Sequence, residues 1–356
     1  MKSQRIQLLL CVQHFLVDAL CVSCLYREIA SFPQGTPESY GALVLPFILY
    51  NSLAFCTQWL TGFWCDLLKG NKYIHLGYAL LLTAGALLFM QIPSAGIICL
   101  GLGNSIFHAA GGKYVIEKSH GRAAPLGAFV APGALGVYFG SVMPGALWIL
   151  TVLMVCSSVV LFAVKSKEEK CSTSVSSVQA EDYPHLMVIA GVILVLICIS
   201  CRAGSGVLSF GKDLFPAQWS FLPVLFVFAG KAAGGYLGDR AGIGKTGVIA
   251  FAAGTVLTLF GEYPAAYLAG QFFMNLLMAL TLWQLVKLLP KSPGLAFGVA
   301  AAVLYPGTLI RFSKAPLQTF LLLAAISFIC FVLTQLILAG SSKRRDRKCI
   351  CLQQQD

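Results

Sequence analysis

Charge is almost absent from twelve long stretches of this sequence. The stretches cover residues 6–26, 40–64, 73–92, 95–116, 123–143 and 145–164, then 185–206, 217–238, 246–261, 264–286, 294–311 and 315–338. Most are close to the ~20 apolar residues that a helix needs to cross the hydrocarbon core of a bilayer. Over the whole 356-residue chain only 11% of residues are charged and 58% are hydrophobic. A water-soluble domain carries about 25% charged residues, so lipid is the solvent that fits this composition. In lipid every backbone polar group has to be satisfied internally, which leaves helices or closed barrels. Runs of this length specify helices. The expected fold class is therefore an all-α, multi-pass membrane protein of about twelve transmembrane helices.

The formal charge of +11 invites a nucleic-acid reading, but its placement speaks against one. Nineteen of the 25 Lys and Arg fall in alternate gaps or in the two tails. The opposite gaps hold Arg27, Lys212, Arg311 and Lys314, while Arg202 and Lys231 fall inside apolar runs. By the positive-inside rule the rich side is cytoplasmic. Both termini are then expected on that side of the cell membrane, with an even number of spans. Lys2 and Arg5 ahead of an apolar run resemble a signal peptide, but His14 and Asp18 interrupt the run, so it reads as the first span. Thirteen cysteines sit mostly within apolar runs, where Cys behaves as a small hydrophobe and implies no disulfide framework.

The longest polar stretch between spans is 165–184. It divides the chain into an N-terminal six-helix bundle (1–164), a cytoplasmic linker (165–184), a C-terminal six-helix bundle (185–342) and a basic cytoplasmic tail (343–356). Six spans on each side suggest a duplicated unit. Two local echoes support duplication. Gly62-Phe63-Trp64-Cys65-Asp66 closes the second span and Gly235-Tyr236-Leu237-Gly238-Asp239 closes the eighth, an offset of 239 − 66 = 173. Cys21-Val22-Ser23-Cys24 and Cys198-Ile199-Ser200-Cys201 repeat at an offset of 177.

The segment Gly235 to Gly242, with Asp239 and Arg240 inside it, resembles the cytoplasmic signature loop of the major facilitator superfamily, Gly-x-x-x-Asp-Arg-x-Gly. The resemblance implies two six-helix bundles around a cavity that opens alternately to each side. It also implies a cytoplasmic gate latched by Asp66 and Asp239, with Arg240 as charge partner and Gly62, Gly235 and Gly242 allowing close helix approach. The first copy departs from the pattern, with Leu67 in place of Arg and the glycine one position late at Gly70. Within the superfamily, His14-Phe15-Leu16-Val17-Asp18 and the run Gly101 to Gly112, containing Asn104 and His108, resemble transporters of the fosmidomycin-resistance group. Gly127, Gly136 and Gly140 are similar to the glycine spacing of the antiporter motif of drug exporters, although Ser141 stands where that motif has Pro.

Asp18 is the one carboxylate placed near the middle of a span. An ionisable group there costs at least ~2.5 kcal/mol and usually faces a cavity. It is the candidate proton carrier, with His14 one helical turn away on the same face. His108, Asn104 and Arg202 are the candidate substrate-cavity residues, and Arg202 would suit an anionic substrate. Lys231 is expected to snorkel or to pair with the gate. The two Cys-x-x-C pairs read as packing residues, so no metal or cofactor is expected. Gly242-Ile243-Gly244-Lys245-Thr246 lacks the leading glycine of a phosphate-binding loop. Ser205 has no histidine in a later span to activate it and lacks the Gly-x-Ser-Gly spacing, so no intramembrane protease or other enzyme function is expected.

The expected function is secondary active transport, as proton-coupled export of a small organic compound by a monomer embedded in the bilayer. Proton-coupled uptake of a sugar or organic acid, or a non-transporting sensor or scaffold derived from a transporter, are the alternatives.

Overall fold

The computed structural model describes residues 2–31, 37–68, 72–169, 184–208, 214–309 and 316–353. Most of the expected linker (170–183) lies outside the described residues, as do Lys212, Arg311 and Lys314. Of the basic tail the helical backbone is described as far as Gln353, without its side chains.

Twelve helical segments follow one another. The first six are α1 (Lys2–Ser31), α2 (37–67), α3 (Lys72–Phe89), α4 (Pro93–Lys118), α5 (Ala124–Val142) and α6 (144–169). The second six are α7 (His185–Val207), α8 (Ala217–Ala241), α9 (Ile243–Leu259), α10 (Pro264–Leu288), α11 (Pro293–Thr308) and α12 (Pro316–Gln353). Eight are long and apolar enough to cross a membrane, and α3, α9 and α11 are shorter apolar helices. The remaining one, α2, is interrupted. Pro46 removes a backbone donor inside it, and Ser52–Cys56 form a π-helical turn. Such turns often lie at functional sites.

Proline also divides two further helices. α5 breaks at Ala131 ahead of Pro132, and α11 breaks at Val303 shortly before Pro306. These helices are counterparts in a six-plus-six arrangement. The prolines are 306 − 132 = 174 positions apart, and each is followed by glycine. The repeat Pro132-Gly133-Ala134-Leu135 and Pro306-Gly307-Thr308-Leu309 extends the duplication beyond the two Gly–Asp copies.

Packing follows the same two-fold logic. Within the halves α1 packs on α5 and α6, α3 on α4, α8 on α10 and α7 on α12. Between the halves the principal contacts are α2 with α11 and α5 with α8. Exchange of the six-helix units turns one of these pairs into the other. The chain is a bundle of two six-helix units, and α4 is the most buried of the eight long apolar helices, with Leu100, Phe107 and Ala109 fully enclosed.

Candidate functional site

The two signature copies end at equivalent places. Asp66, at the end of α2, accepts the backbone N–H groups of Gly294 (2.9 Å) and Leu295 (2.8 Å) at the start of α11. Asp239, at the end of α8, accepts those of Ala123 (2.7 Å) and Ala124 (2.9 Å) at the start of α5. The first turns of a helix carry unpaired N–H donors and a partial positive charge, so each carboxylate clamps one half to the other. Gly62 and Gly235 make the approach possible: a Cβ at Gly62 would overlap the Gly294 carbonyl, and one at Gly235 the Ala123 carbonyl. Gly242 closes α8 with φ +96°, a conformation that favours glycine.

Arg240 does not serve as charge partner to either aspartate. Its guanidinium donates to the Tyr236 hydroxyl at 3.2 Å on an exposed face. The cation beside a latch is instead Lys113 of α4, whose Nζ lies 3.7 Å from Asp66 and 3.7 Å from Glu117. A third tie at this end runs from the Trp283 indole N–H of α10 to the Gly121 carbonyl at 2.7 Å.

Deeper in the bundle, α1 and α4 bring together four polar side chains. Asp18 Oδ2 lies 3.3 Å from His14 Nε2, and Asp18 Oδ1 lies 3.5 Å from His108 Nε2. The two imidazoles meet Nε2 to Nε2 at 3.0 Å. The Asn104 amide donates to Asp18 Oδ1 at 3.2 Å and to the Tyr50 hydroxyl at 3.2 Å. His108 Nδ1 lies 2.9 Å from the Asn104 carbonyl. A carbonyl only accepts, so this nitrogen carries a proton and Nε2 of neutral His108 is an acceptor. His14 then supplies the single N–H between the three groups. One further proton, placed on His108 Nε2, would point at Asp18 Oδ1.

The same three ligand atoms lie within 4.8 Å of one another, a spacing that a metal ion could also bridge. Among the described residues no other group of this kind occurs. The Cys-x-x-C pairs do not converge: Cys21 takes a hydrogen from Asn104 at 3.6 Å, and Cys198 faces Ser327 at 3.3 Å.

The cluster stands on the wall of a cavity of about 490 Å³. Its lining runs from His14, Asp18, Gln58 and His108 in the middle of the bundle to Tyr26 and Ser141 near the end remote from the latches. At the latch end the two halves are held together by both carboxylate contacts. The three glycines of α5 hold the walls together. A Cβ at Gly136 or Gly140 would collide with the α1 backbone, and one at Gly127 with the Lys231 carbonyl of α8. Gly133 was not singled out by its sequence, yet a Cβ there would lie 2.5 Å from both Asp18 Oδ2 and His14 Nε2.

Lys231 departs from its expected place. Rather than snorkelling or joining the gate, it lines the same cavity as Asp18. It comes 173 positions after Gln58, which lines that cavity from α2. Arg202 of α7 is 8% exposed and lines an adjoining cavity of about 280 Å³ that Lys231 also reaches.

No family model matches the chain, and no curated protein resembles it in sequence. Solved structures do resemble it. The E. coli fucose:proton symporter FucP superposes with TM-score 0.62 at 12% identity, over 95% of this chain and 98% of that one. A bacterial homologue of the iron transporter ferroportin, in an outward-facing state, gives 0.57 at 15% identity over 95% and 99%. The human organic anion transporter MFSD10 gives 0.61 at 15% identity over 96% and 98%. At such identities the likeness is one of fold, and that fold, shared along nearly the whole length of each chain, is the major facilitator fold.

Proposed function

We propose that this protein is a secondary active transporter that moves a small organic compound by alternating access, coupled to a proton held by Asp18, His14 and His108. The observation that carries the reading is the cluster itself, a mid-bundle carboxylate bonded to two histidines and open to a cavity whose far end is sealed by two matched latches. In the lipid interior an ionisable group of this kind usually marks a transport path or proton relay. The latches at Asp66 and Asp239 are the gate, and the latch end is the cytoplasmic side on which both termini lie.

Export was the direction suggested by the resemblance to the fosmidomycin-resistance group and by the antiporter-like α5 glycines. In the structure those glycines seat α5 on α1 and α8, a packing role that serves either direction. Uptake, in which proton and solute move together, is the second reading, and the position of Lys231 between Asp18 and Arg202 favours it.

The test uses the full chain in sealed proteoliposomes under an imposed proton gradient. Accumulation or depletion of a solute beyond its equilibrium level, abolished by a protonophore, is the expected result. Binding of a solute with no movement under any gradient would overturn the transport reading in favour of a sensor.

A further inference from the structure

Among the described residues, Arg202 and Lys231 of the C-terminal half face one cavity without a counter-ion within 4.0 Å. Arg202 is 8% exposed, and its Nε has no hydrogen-bond partner. Among the described residues the ion pairs involve His14, His108 and Lys113, and neither Arg202 nor Lys231 has a carboxylate within 4.0 Å. A guanidinium cannot shed its proton in a protein, and a buried charge without a partner is among the costliest features a fold can keep. Both cations line the 280 Å³ cavity, together with Ser205, Gln271 and Asn275. The lining therefore offers a planar fork of donors, a mobile point charge, and amide and hydroxyl groups, with no negative charge of its own. Its volume lies at the low end for ligand sites, which suits a metabolite-sized molecule.

Lys231 has a second neighbourhood. It also lines the 490 Å³ cavity with His14, Asp18 and His108. Its ammonium sits on a flexible four-carbon stem and can turn to either side. The titratable or charged groups facing these two cavities are His14, Asp18 and Tyr26 of α1, Tyr50 of α2, His108 of α4, Arg202 of α7 and Lys231 itself, while α5 and α10 add none.

We infer that Arg202 and Lys231 form the binding site for a small hydroxylated organic anion, and that Lys231 links anion binding to proton uptake. While Asp18 is unprotonated and negative, it competes with the anion for Lys231. A proton on the triad cancels that charge and frees the ammonium for the anion. Such linkage is reciprocal: the proton raises anion affinity by the same factor as the anion raises proton affinity. The second half of this inference rests on the proton-coupled reading above, whereas the anion site stands by itself.

The experiment measures binding to the purified full-length protein, by tryptophan fluorescence and thermal shift, between pH 6 and pH 8. The probes are charged and neutral mates: gluconate and glucose, lactate and propane-1,2-diol, glycerol 3-phosphate and glycerol. At least one anion is expected to bind while its neutral mate does not, with affinity rising about tenfold or more toward pH 6. Arg202→Gln should lose that binding at least thirtyfold at every pH, with Arg202→Lys as the charge-retaining control for folding. Lys231→Gln should weaken it and flatten the pH dependence. Neutral mates binding as well as the anions, no anion binding at all, or Arg202→Gln binding like wild type would each overturn the anion site. A full pH dependence in Lys231→Gln would overturn the link. Anion binding with no flux in vesicles would leave the site standing and remove the transport reading; proton-coupled flux without preference for anions would do the reverse.

Discussion

Replacing Asp66 by Asn tests the latch at its more buried copy. The Asp66 carboxylate is 11% exposed and takes two N–H groups of α11, with Lys113 at 3.7 Å. An Asn can accept one of those hydrogens through its oxygen, but its NH2 then opposes the other. The change removes one charge-assisted hydrogen bond, worth ~1.5–3 kcal/mol, and the favourable placement of an anion at a helix N-terminus, worth ~0.3–1 kcal/mol. Allowing for partial relaxation, the closed state should lose about 2–3 kcal/mol, or roughly 30- to 150-fold in the open-to-closed ratio at this end. Asp239 makes the same pair of bonds from an exposed position, where solvent screens the charge. Asp239→Asn should therefore cost only about 1 kcal/mol, roughly fivefold. Spin labels at positions 68 and 291, both exposed at the latch end, would report the two populations by pulsed electron–electron distance measurement in a cysteine-reduced background. A larger opening in Asp239→Asn than in Asp66→Asn, or none in either, would refute this reasoning.

Four further outcomes follow from local geometry. Gly62→Ala should open the latch end as Asp66→Asn does, without touching a charge, because its methyl would meet the Gly294 carbonyl; the same label pair reads it. Gly133→Ala should reduce substrate-driven proton movement at least ~tenfold while the helical fold persists by circular dichroism, since its Cβ would displace Asp18 and His14. Gly145→Ala, with nothing within 4 Å of its added Cβ, should leave that movement unchanged. Trp283→Phe removes the indole donor to Gly121 and should weaken latch closure by about 1 kcal/mol, seen as a several-fold gain in thiol labelling of a cysteine placed at 291.

How far the sequence reaches depends on whether a feature is local or lies between helices. The helices were legible because lipid imposes long apolar runs, and even α2, with its proline and π-turn, fills the expected 40–64. The Gly–Asp copies were legible because a tight approach and a cap leave a local signature. The repeat of Pro132-Gly133 at Pro306-Gly307 carried an equally local signal, and its offset of 174 matches the 173 of the aspartates. The Cys-x-x-C echo at 177 is out of step by about one helical turn, and its two copies have different neighbours, Asn104 for Cys21 and Ser327 for Cys198. It is a coincidence of spacing.

His14 and Asp18 share a helix face, so their pairing followed from period alone. His108 joins them from 90 residues away (108 − 18 = 90), and no periodicity within α4 reveals that contact. Lys113 as a latch partner and Lys231 as a cavity residue were not legible for a related reason. A cation near a helix end resembles a topology signal, and one within an apolar run resembles a snorkelling side chain, until the neighbouring helix is known. Lys113 finds Asp66 across the α2–α4 contact, and Lys231 finds a cavity shared by both halves.

Proton uptake by sealed proteoliposomes bearing wild-type protein or Asp18→Asn, followed with an entrapped pH dye during a challenge with small organic solutes, addresses the role of the triad without intermediaries. Solute-triggered proton movement in wild type, and its loss in Asp18→Asn while solute exchange at equal pH persists, is the expected result. Equal proton movement in both proteins would contradict a proton carried at Asp18.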